Sequence, residues 1–368
     1  MRKNLVLFIL VASAAGAVWG RPFFLPGSPR FITLPADSTV DVIARGTVPN
    51  WTGTFTSSGT TYTFTMVGTD PSLGSAMTTT PVQIIPVIFQ FSNGVTVDST
   101  QNSCGDTDTA VHRVLNSPLF QSTAFAPGGT NVGTTQYEDA FQRANFWNLV
   151  STTAPNYHVL LSSTLQPTVT ITIPANDGTT VAGPCSAAGS VNNGQIGLVS
   201  VNYFQQQLRK IAKQYPSNTL PLLLFYNTFF YQGTQNNCCI LGFHTAFGFG
   251  PNKLTTAVAA FSDPGIFDAP IQDIHALSHE LGEWMDDPFV SNTVPGWTGG
   301  QVSTCSTLLE VGDPVTGIAF QVNLNGFTYH PEDLVFLPWF EKALAPTSSV
   351  NGWYTFLNSY SSPSVLCN

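Results

Sequence analysis

The chain has 368 residues, of which only 9% are charged, and its formal net charge at pH 7 is −9. This composition provides no basic stripe, so we expect neither nucleic-acid binding nor docking on an anionic membrane. The length suffices for one large domain or two smaller ones with a sizeable core.

Residues 1–20 have the features of a secretory signal peptide. Arg2 and Lys3 precede an apolar run from Leu5 to Val11, and small residues follow up to Ala17. The run is too short to span a membrane, and no other stretch looks transmembrane. We therefore expect a secreted, extracellular protein that has no membrane span and is a monomer.

All six cysteines lie beyond this leader, where thiols are usually oxidised, and their even number favours disulfides. A cysteine metal site is disfavoured because no C-x-x-C spacing occurs. Sequence alone leaves the pairing open, and we favour two long-range bridges, with the two adjacent cysteines forming a vicinal bridge or belonging to separate bridges. The two long-range bridges are Cys104 with Cys185 and Cys305 with Cys367, and the two adjacent cysteines are Cys238 and Cys239.

The first half of the chain reads as a β-rich N-terminal region, residues 21–80, followed by the start of a domain that covers residues 81–368. Alternation such as that of Thr60–Met66 predicts short antiparallel strands in the N-terminal region, where we predict no chemistry. The elements predicted next are a buried strand at Pro81–Phe91, helices at Thr107–Phe120 and Gly133–Val150, strands within Asn156–Ile173, and a loop at Asn176–Gly194.

The second half has the element order of a zincin catalytic core. In zincins a backing helix and a twisted sheet support the metal-site helix, and the edge strand of the sheet binds an extended substrate. The fold predicted is therefore α+β, with a zincin-like core and a β-rich N-terminal region. The elements in order are a helix at Val201–Gln214, an apolar strand at Leu220–Phe230, the segment Cys238–Phe247, a strand at Thr255–Phe261, and a helix at Ile274–Pro288.

That last helix carries the motif H-E-x-x-E. His279 and Glu283 are four residues apart and project from one helix face, with Glu280 about a quarter-turn away. In H-E-x-x-H the two histidines bind zinc and the intervening Glu is the general base; here a carboxylate replaces the second histidine. An ordinary amphipathic helix is the alternative, but the 13-residue window His275–Asp287 holds six His or acidic residues where composition predicts roughly one.

A zinc site needs a third protein ligand from outside this face. We rank Glu310 first, since gluzincins take their third ligand from a Glu downstream of the helix, and Asp287 and Asp313 follow. Asp287 could ligate only if the helix unwound at Pro288. His244 and His275 are candidates for the cleft or for contacts behind the ligands, and a role as core histidines is equally open.

The motifs resemble those of a family of secreted zincin-like proteins with an H-E-x-x-E helix, which is distantly similar to the plant phosphate-induced, EXORDIUM-like proteins. The matching segments are Gly242–His244, Ser278–Pro288, Glu310–Asp313 and Cys367. The resemblance covers roughly the second two-thirds of the chain. It implies a zincin-like fold, whereas peptidase activity is not implied, because the plant branch lacks the motif.

These observations predict a hydrolase, namely a secreted zinc metallopeptidase acting on a peptide or protein substrate. His279, Glu283 and a third carboxylate would hold Zn²⁺, and Glu280 would take a proton from the metal-bound water. One His and two carboxylates leave the complex formally neutral, so the metal is a weaker Lewis acid and another divalent metal also fits. The alternative function is a non-catalytic extracellular protein of the cell surface or matrix with a structural or vestigial metal site.

Overall fold

A computed structural model describes residues 25–102, 106–184, 194–267, 270–344 and 350–367. The predicted signal peptide and the predicted Cys104–Cys185 bridge lie outside these residues. The described part is α+β, as predicted, with more strand than helix. None of the described helices has the length and hydropathy needed to cross a membrane.

Nineteen strands and six α-helices make up the described regular structure. The strands are β1 (Asn50–Ser57), β2 (Thr60–Val67), β3 (Met77–Phe91), β4 (Thr96–Asp98), β5 (Thr123–Phe125), β6 (Gly133–Thr135), β7 (His158–Leu165), β8 (Val169–Ile173), β9 (Gly178–Ala182), β10 (Gln195–Ser200), β11 (Leu220–Tyr226), β12 (Thr228–Tyr231), β13 (Cys238–Ile240), β14 (Gly242–Phe247), β15 (Leu254–Phe261), β16 (Thr293–Gly299), β17 (Val302–Leu308), β18 (Val322–Leu324) and β19 (Phe327–Tyr329). The helices are α1 (Ala110–Leu115), α2 (Tyr137–Asn145), α3 (Trp147–Val150), α4 (Val201–Ala212), α5 (His275–Asp286) and α6 (Leu337–Phe340).

The largest sheet has seven strands and is mostly parallel. The long strand β3 pairs in parallel with β7, β8 and β11, and β11 pairs in parallel with β15. Two antiparallel strands complete the sheet: β4 beside β3, and β14 beside β15 at one edge. Every residue of β11, β14 and β15 is buried, as expected for strands covered on both faces.

The strand predicted across Leu220–Phe230 is in fact two strands in different sheets. Asn227 has a φ of 41°, a left-handed conformation that Asn tolerates, and it ends β11. The chain then enters β12, which belongs to a four-stranded sheet of β9, β10, β12 and β13. A continuous apolar run therefore concealed a change of sheet.

Three other predicted boundaries were also wrong. The helix predicted at Gly133–Val150 starts only at α2, because residues 133–135 pair with β5 instead. The loop predicted at Asn176–Gly194 contains β9, which pairs with β10. The helix predicted at Thr107–Phe120 is shorter, since it starts after Thr109, whose hydroxyl accepts a bond from the His112 N–H, and ends before Pro118.

Two disulfides are present in the described part of the chain. Cys305 on β17 is bonded to Cys367 near the C-terminus, and Cys238 is bonded to its neighbour Cys239. Both pairings were among those predicted.

The N-terminal part of the chain packs on the large sheet and on α5. The hairpin of β1 and β2 contacts α5 through β2, and the Asn292 side chain binds the backbone of Thr65 on β2. Residues 28–37 run beside the end of β13 and the edge of β14 that does not pair with β15, with parallel bridges from Arg30 to Ile240 on β13 and from Asp37 to Phe247 on β14. The outer edge of the sheet is thereby covered by the chain itself.

Candidate metal centre

Helix α5 lies against β14 and β15 and carries the H-E-x-x-E motif in the protein interior. All twelve of its residues are buried, including His279, Glu280 and Glu283. The helix ends at the Asp287–Pro288 step, since a residue before proline is pushed out of the α region. The Asp287 carboxylate there accepts the N–H groups of Ser291 and Asn292, both at 2.9 Å, and so caps the following turn.

Two groups of three side chains come together around this helix. One group is His279, Glu283 and Asp313, and the other is His244, Glu283 and Glu310. Within each group one potential ligand atom per residue lies within 4.8 Å of the other two. The two groups therefore form one cluster that shares Glu283.

The two carboxylate oxygens of Glu283 face different histidines. Its Oε1 lies 3.0 Å from His279 Nε2, and its Oε2 lies 3.7 Å from His244 Nδ1. Asp313 Oδ1 is 3.7 Å from the same His279 nitrogen, while the Thr33 hydroxyl donates to Glu310 Oε1 at 2.9 Å. The predicted third ligand Glu310 thus lies on the His244 side, and Asp313 is the acid beside His279.

Two glycines make the close approach possible. A Cβ at Gly312 would lie 2.2 Å from His279 Nδ1, and a Cβ at Gly242 would lie 2.8 Å from Glu280 Oε1. Neither contact could be relieved without moving the histidine or the helix. The glycines in the Glu-x-Gly-Asp and Gly-Phe-His segments are therefore required by the packing of the motif helix.

Glu332 completes the environment of His279 and was not found from the sequence. Its Oε2 is hydrogen-bonded to His279 Nδ1, and its Oε1 lies 3.4 Å from His275 Nε2. Its backbone N–H donates to the Ser278 hydroxyl at 2.9 Å, which fixes the acid against the helix. Because the carboxylate holds Nδ1, the other ring nitrogen of His279 is directed to Glu283 and Asp313. His275 contacts Glu332 and belongs to neither three-residue group.

The His279–Glu332 pair has strongly perturbed protonation. Burial alone would lower the pKa of His279, but the Glu332 carboxylate outweighs burial and raises this pKa to about 9. Burial would conversely raise the pKa of Glu332, but His279 and His275 lower it to about 2. The metal-free pair is therefore an imidazolium bound to a carboxylate.

The other acids of the cluster resist ionisation. Burial raises the pKa values of Glu280, Glu283 and Glu310 well above the ordinary range, and neighbouring carboxylates add to the effect for each. Burial also raises the pKa of Asp313 to about 6. Burial and the nearby His279 lower the pKa of His244 to about 3, so this imidazole is neutral. A divalent cation would favour the charged acids and the neutral imidazole that a metal site needs.

Several buried polar atoms of the cluster are unpaired. His279 Nε2, His244 Nε2 and Glu280 Oε1 have no hydrogen-bond partner within the described part of the chain. His279 Nε2 is close to Glu283 Oε1 but out of hydrogen-bonding alignment with it. Unpaired buried groups are rare and costly. Nitrogen and carboxylate donors gathered in this way suit Zn²⁺ or a similar divalent ion.

Comparison with known proteins gives no independent assignment: no protein-family model matches the chain, and neither a curated protein nor a solved structure shows a significant match. The resemblance to H-E-x-x-E zincin-like and EXORDIUM-like proteins stays a prediction based on the motifs.

Proposed function

We propose that the protein is a secreted zinc-dependent metallopeptidase with a zincin-like core. The main support is the convergence of His279 Nε2, Glu283 and Asp313 in the buried interior, with Glu280 beside them on the same helix as His279 and Glu283. Further support comes from the element order, since a helix (α4), an antiparallel edge strand (β14) and the motif helix (α5) follow one another as zincin topology requires.

His279, Glu283 and Asp313 would hold the metal. Glu310 and His244 lie on the other side of Glu283, where its second carboxylate oxygen faces His244. When bound, a divalent cation supplies a Lewis acid and lowers the pKa of water at an open coordination position. Asp287 is better assigned to its cap, because its two oxygens already accept backbone N–H groups. Glu332 would set the tautomer and orientation of His279, a contact that raises the basicity of a metal-binding imidazole.

Glu280 has the properties of a general base. Its Oε1 is free to accept a proton, and its Oε2 lies 3.4 Å from His244 Nδ1. Burial raises the pKa of Glu280 well above its ordinary range, so the carboxylate has a high proton affinity, and a bound cation would favour the ionised form that a general base needs. His244 is buried and neutral, and its position supports a role in holding the Glu280 carboxylate in place.

A structural metal site in a non-catalytic extracellular protein is the second candidate function. The observation that favours it is the closure of the site: all five clustered residues are buried, and the Phe31 ring stacks on His279 with ring centroids 3.4 Å apart. Structural zinc sites are closed, whereas catalytic ones keep an open position.

Hydrolysis of a quenched fluorescent peptide library separates the two functions. The zinc-loaded protein would be assayed both as the parent and as Phe31→Ala, because Phe31 covers His279. We expect chelator-sensitive hydrolysis that Glu280→Gln removes without loss of metal, while Glu341→Gln, a matched change far from the cluster, has no effect. If zinc is bound but neither form hydrolyses any peptide, the structural role is the correct one.

A further inference from the structure

The outer edge of the stretch that contains β13 and β14 is bonded to another stretch of the same chain, residues 28–37, which we call the groove segment. The Arg30 N–H donates to the Cys239 carbonyl, and the Leu241 N–H donates to the Arg30 carbonyl, both at 2.9 Å. Farther along, the Asp37 N–H donates to the Ala246 carbonyl at 2.8 Å, and the Gly248 N–H donates to the Asp37 carbonyl at 3.1 Å. The segment thus runs parallel to residues 239–248, with its Arg30 end anchored at β13 and its Asp37 end anchored at the end of β14.

The opposite side of the groove segment is held by one amide side chain. Gln301 Oε1 accepts the Phe31 N–H at 2.8 Å, and Gln301 Nε2 donates to the Phe31 carbonyl at 3.3 Å. Gln301 also donates to Asp313, one of the candidate ligands. Backbone groups of Arg30 are therefore bound by the sheet edge and those of Phe31 by Gln301. This arrangement recognises an extended backbone irrespective of its sequence.

Alternate side chains of the segment lie directly on the metal cluster. The Phe31 ring is parallel to the His279 ring within 9°, and the Thr33 hydroxyl donates to Glu310. Residues two apart share one face of an extended strand, so this face of the segment is directed to the candidate ligands. A second polypeptide strand could not enter while these residues are present.

We propose that the groove between Gln301 and the outer edge of β13 and β14 binds an extended polypeptide through its backbone, and that the groove segment occupies it as an internal stand-in for that polypeptide. The inference rests on the proposed function, since it identifies the groove as the peptide-binding site of the same centre. The full chain is accordingly latent, and displacement of residues 28–37 opens the site.

The attachments of the segment suit displacement. The Asp37 carboxylate bonds Arg209 at 2.8 Å in a partly exposed ion pair, a type of contact worth little in water. A cavity of about 530 Å³ lies between residues 34–39 and α4, so that half of the segment is incompletely packed. Residues 43–46, which follow it, are all exposed, and in the described part of the chain the backbone of Arg45 and Gly46 is held only by the side chains of Ser217 and Asn252. Cleavage there would end the covalent tether and with it the high effective concentration of the segment.

Peptide binding tests this inference without any need for hydrolysis. A fluorescent peptide with the sequence of residues 28–39 would be titrated into zinc-loaded Glu280→Gln protein, with anisotropy as the readout. We expect at least tenfold tighter binding to the Glu280→Gln, Phe31→Ala protein than to Glu280→Gln alone, because the apparent affinity scales with the fraction of open groove. Phe249→Ala, which removes an exposed phenylalanine outside the groove, is the matched control and should leave binding unchanged.

A second version of the experiment keeps Phe31 and so controls for misfolding of the Phe31→Ala protein. A recognition sequence for a site-specific protease, inserted between Arg45 and Gly46, lets the intact segment be severed after folding. Tighter peptide binding after cleavage, weakened by Phe31→Ala in the peptide itself, supports the proposal. Equal or absent binding before and after cleavage would overturn it.

The failure of this proposal can be told apart from the failure of the proposed function. Peptide binding without hydrolysis would support the groove and refute the peptidase. Equal hydrolysis by the parent and by Phe31→Ala would refute latency.

Discussion

Replacement of Glu332 by Gln tests the pairing that orients His279. The variant keeps the shape of the side chain and an oxygen that can accept the His279 Nδ1 proton, but removes a buried negative charge. Both partners are fully buried, so solvent does not screen the interaction. The metal-free protein is the proper sample, because a bound cation would itself suppress protonation of the imidazole.

The magnitude follows from the pKa values. His279 has a pKa of about 9 against an ordinary value of 6.5, and Glu332 has a pKa of about 2 against 4.5. Each difference is a net effect of burial and of several neighbours, and the contact between His279 and Glu332 is the largest charge interaction in both, so it is counted once. At about 1.4 kcal/mol per pKa unit they correspond to about 3 kcal/mol of folding free energy. Because the histidine pKa is raised and the glutamate pKa is lowered, this stability is fully present between about pH 4.5 and pH 6.5. It declines as pH rises toward 9, where His279 loses its proton, and it also declines as pH falls below 4.5 toward 2, where Glu332 gains one.

Urea unfolding of chelator-treated parent and Glu332→Gln protein between pH 6 and pH 9.5 would measure the effect. We expect the difference in unfolding free energy to be about 3 kcal/mol at pH 6 and well under 1 kcal/mol at pH 9.5. A difference that stays constant over this range would show that Glu332 acts by packing alone. Zinc affinity should also fall by roughly 10- to 100-fold in the variant, as for other acids behind a metal-binding imidazole.

Three further predictions concern neighbouring acids and the long-range disulfide. Asp313→Asn should weaken zinc binding at least tenfold in a competition titration, whereas Asp287→Asn should leave zinc affinity unchanged and lower stability by about 1 kcal/mol through its cap; the reverse ranking would make Asp287 the ligand. Burial raises the pKa of Asp286 to about 8 from 3.8, so ionisation of this acid opposes folding. Between pH 4 and pH 8 the unfolding free energy of the parent should therefore decline more steeply than that of Asp286→Asn, by about 1 kcal/mol per pH unit. Parallel curves of unfolding free energy against pH would contradict this. Loss of the Cys305–Cys367 bridge, which closes 62 residues, should lower the unfolding free energy by about 4 kcal/mol in the double serine variant, and an unchanged denaturation midpoint would refute this.

The motif helix could be predicted because all its information is local. The spacing of His279 and Glu283 defines a helix face, and the Asp287–Pro288 step defines its end. The strand edges around it were less predictable. The left-handed Asn227 redirects an apolar run into another sheet, which periodicity cannot reveal.

Which side chains meet in the cluster depends on tertiary contacts, and the spacing of residues in the sequence does not reveal such contacts. Glu310 and Asp313 are three positions apart, and the approach of Gly312 to His279 decides which acid faces which histidine. Glu332 contacts a histidine 53 residues away without any motif of its own. The groove segment lies in a region for which no chemistry was predicted, because its pairing with β14 spans about 200 residues of chain.

The metal content of the folded protein is the most direct test of the account. Full-length protein purified without added chelator would be analysed for elements beside His279→Ala and beside His112→Ala, which removes an exposed histidine on α1. The account predicts about one equivalent of zinc or another divalent metal in the parent and in His112→Ala, and none in folded His279→Ala. A correctly folded parent that contains no metal and takes up none from a zinc-containing buffer would contradict it.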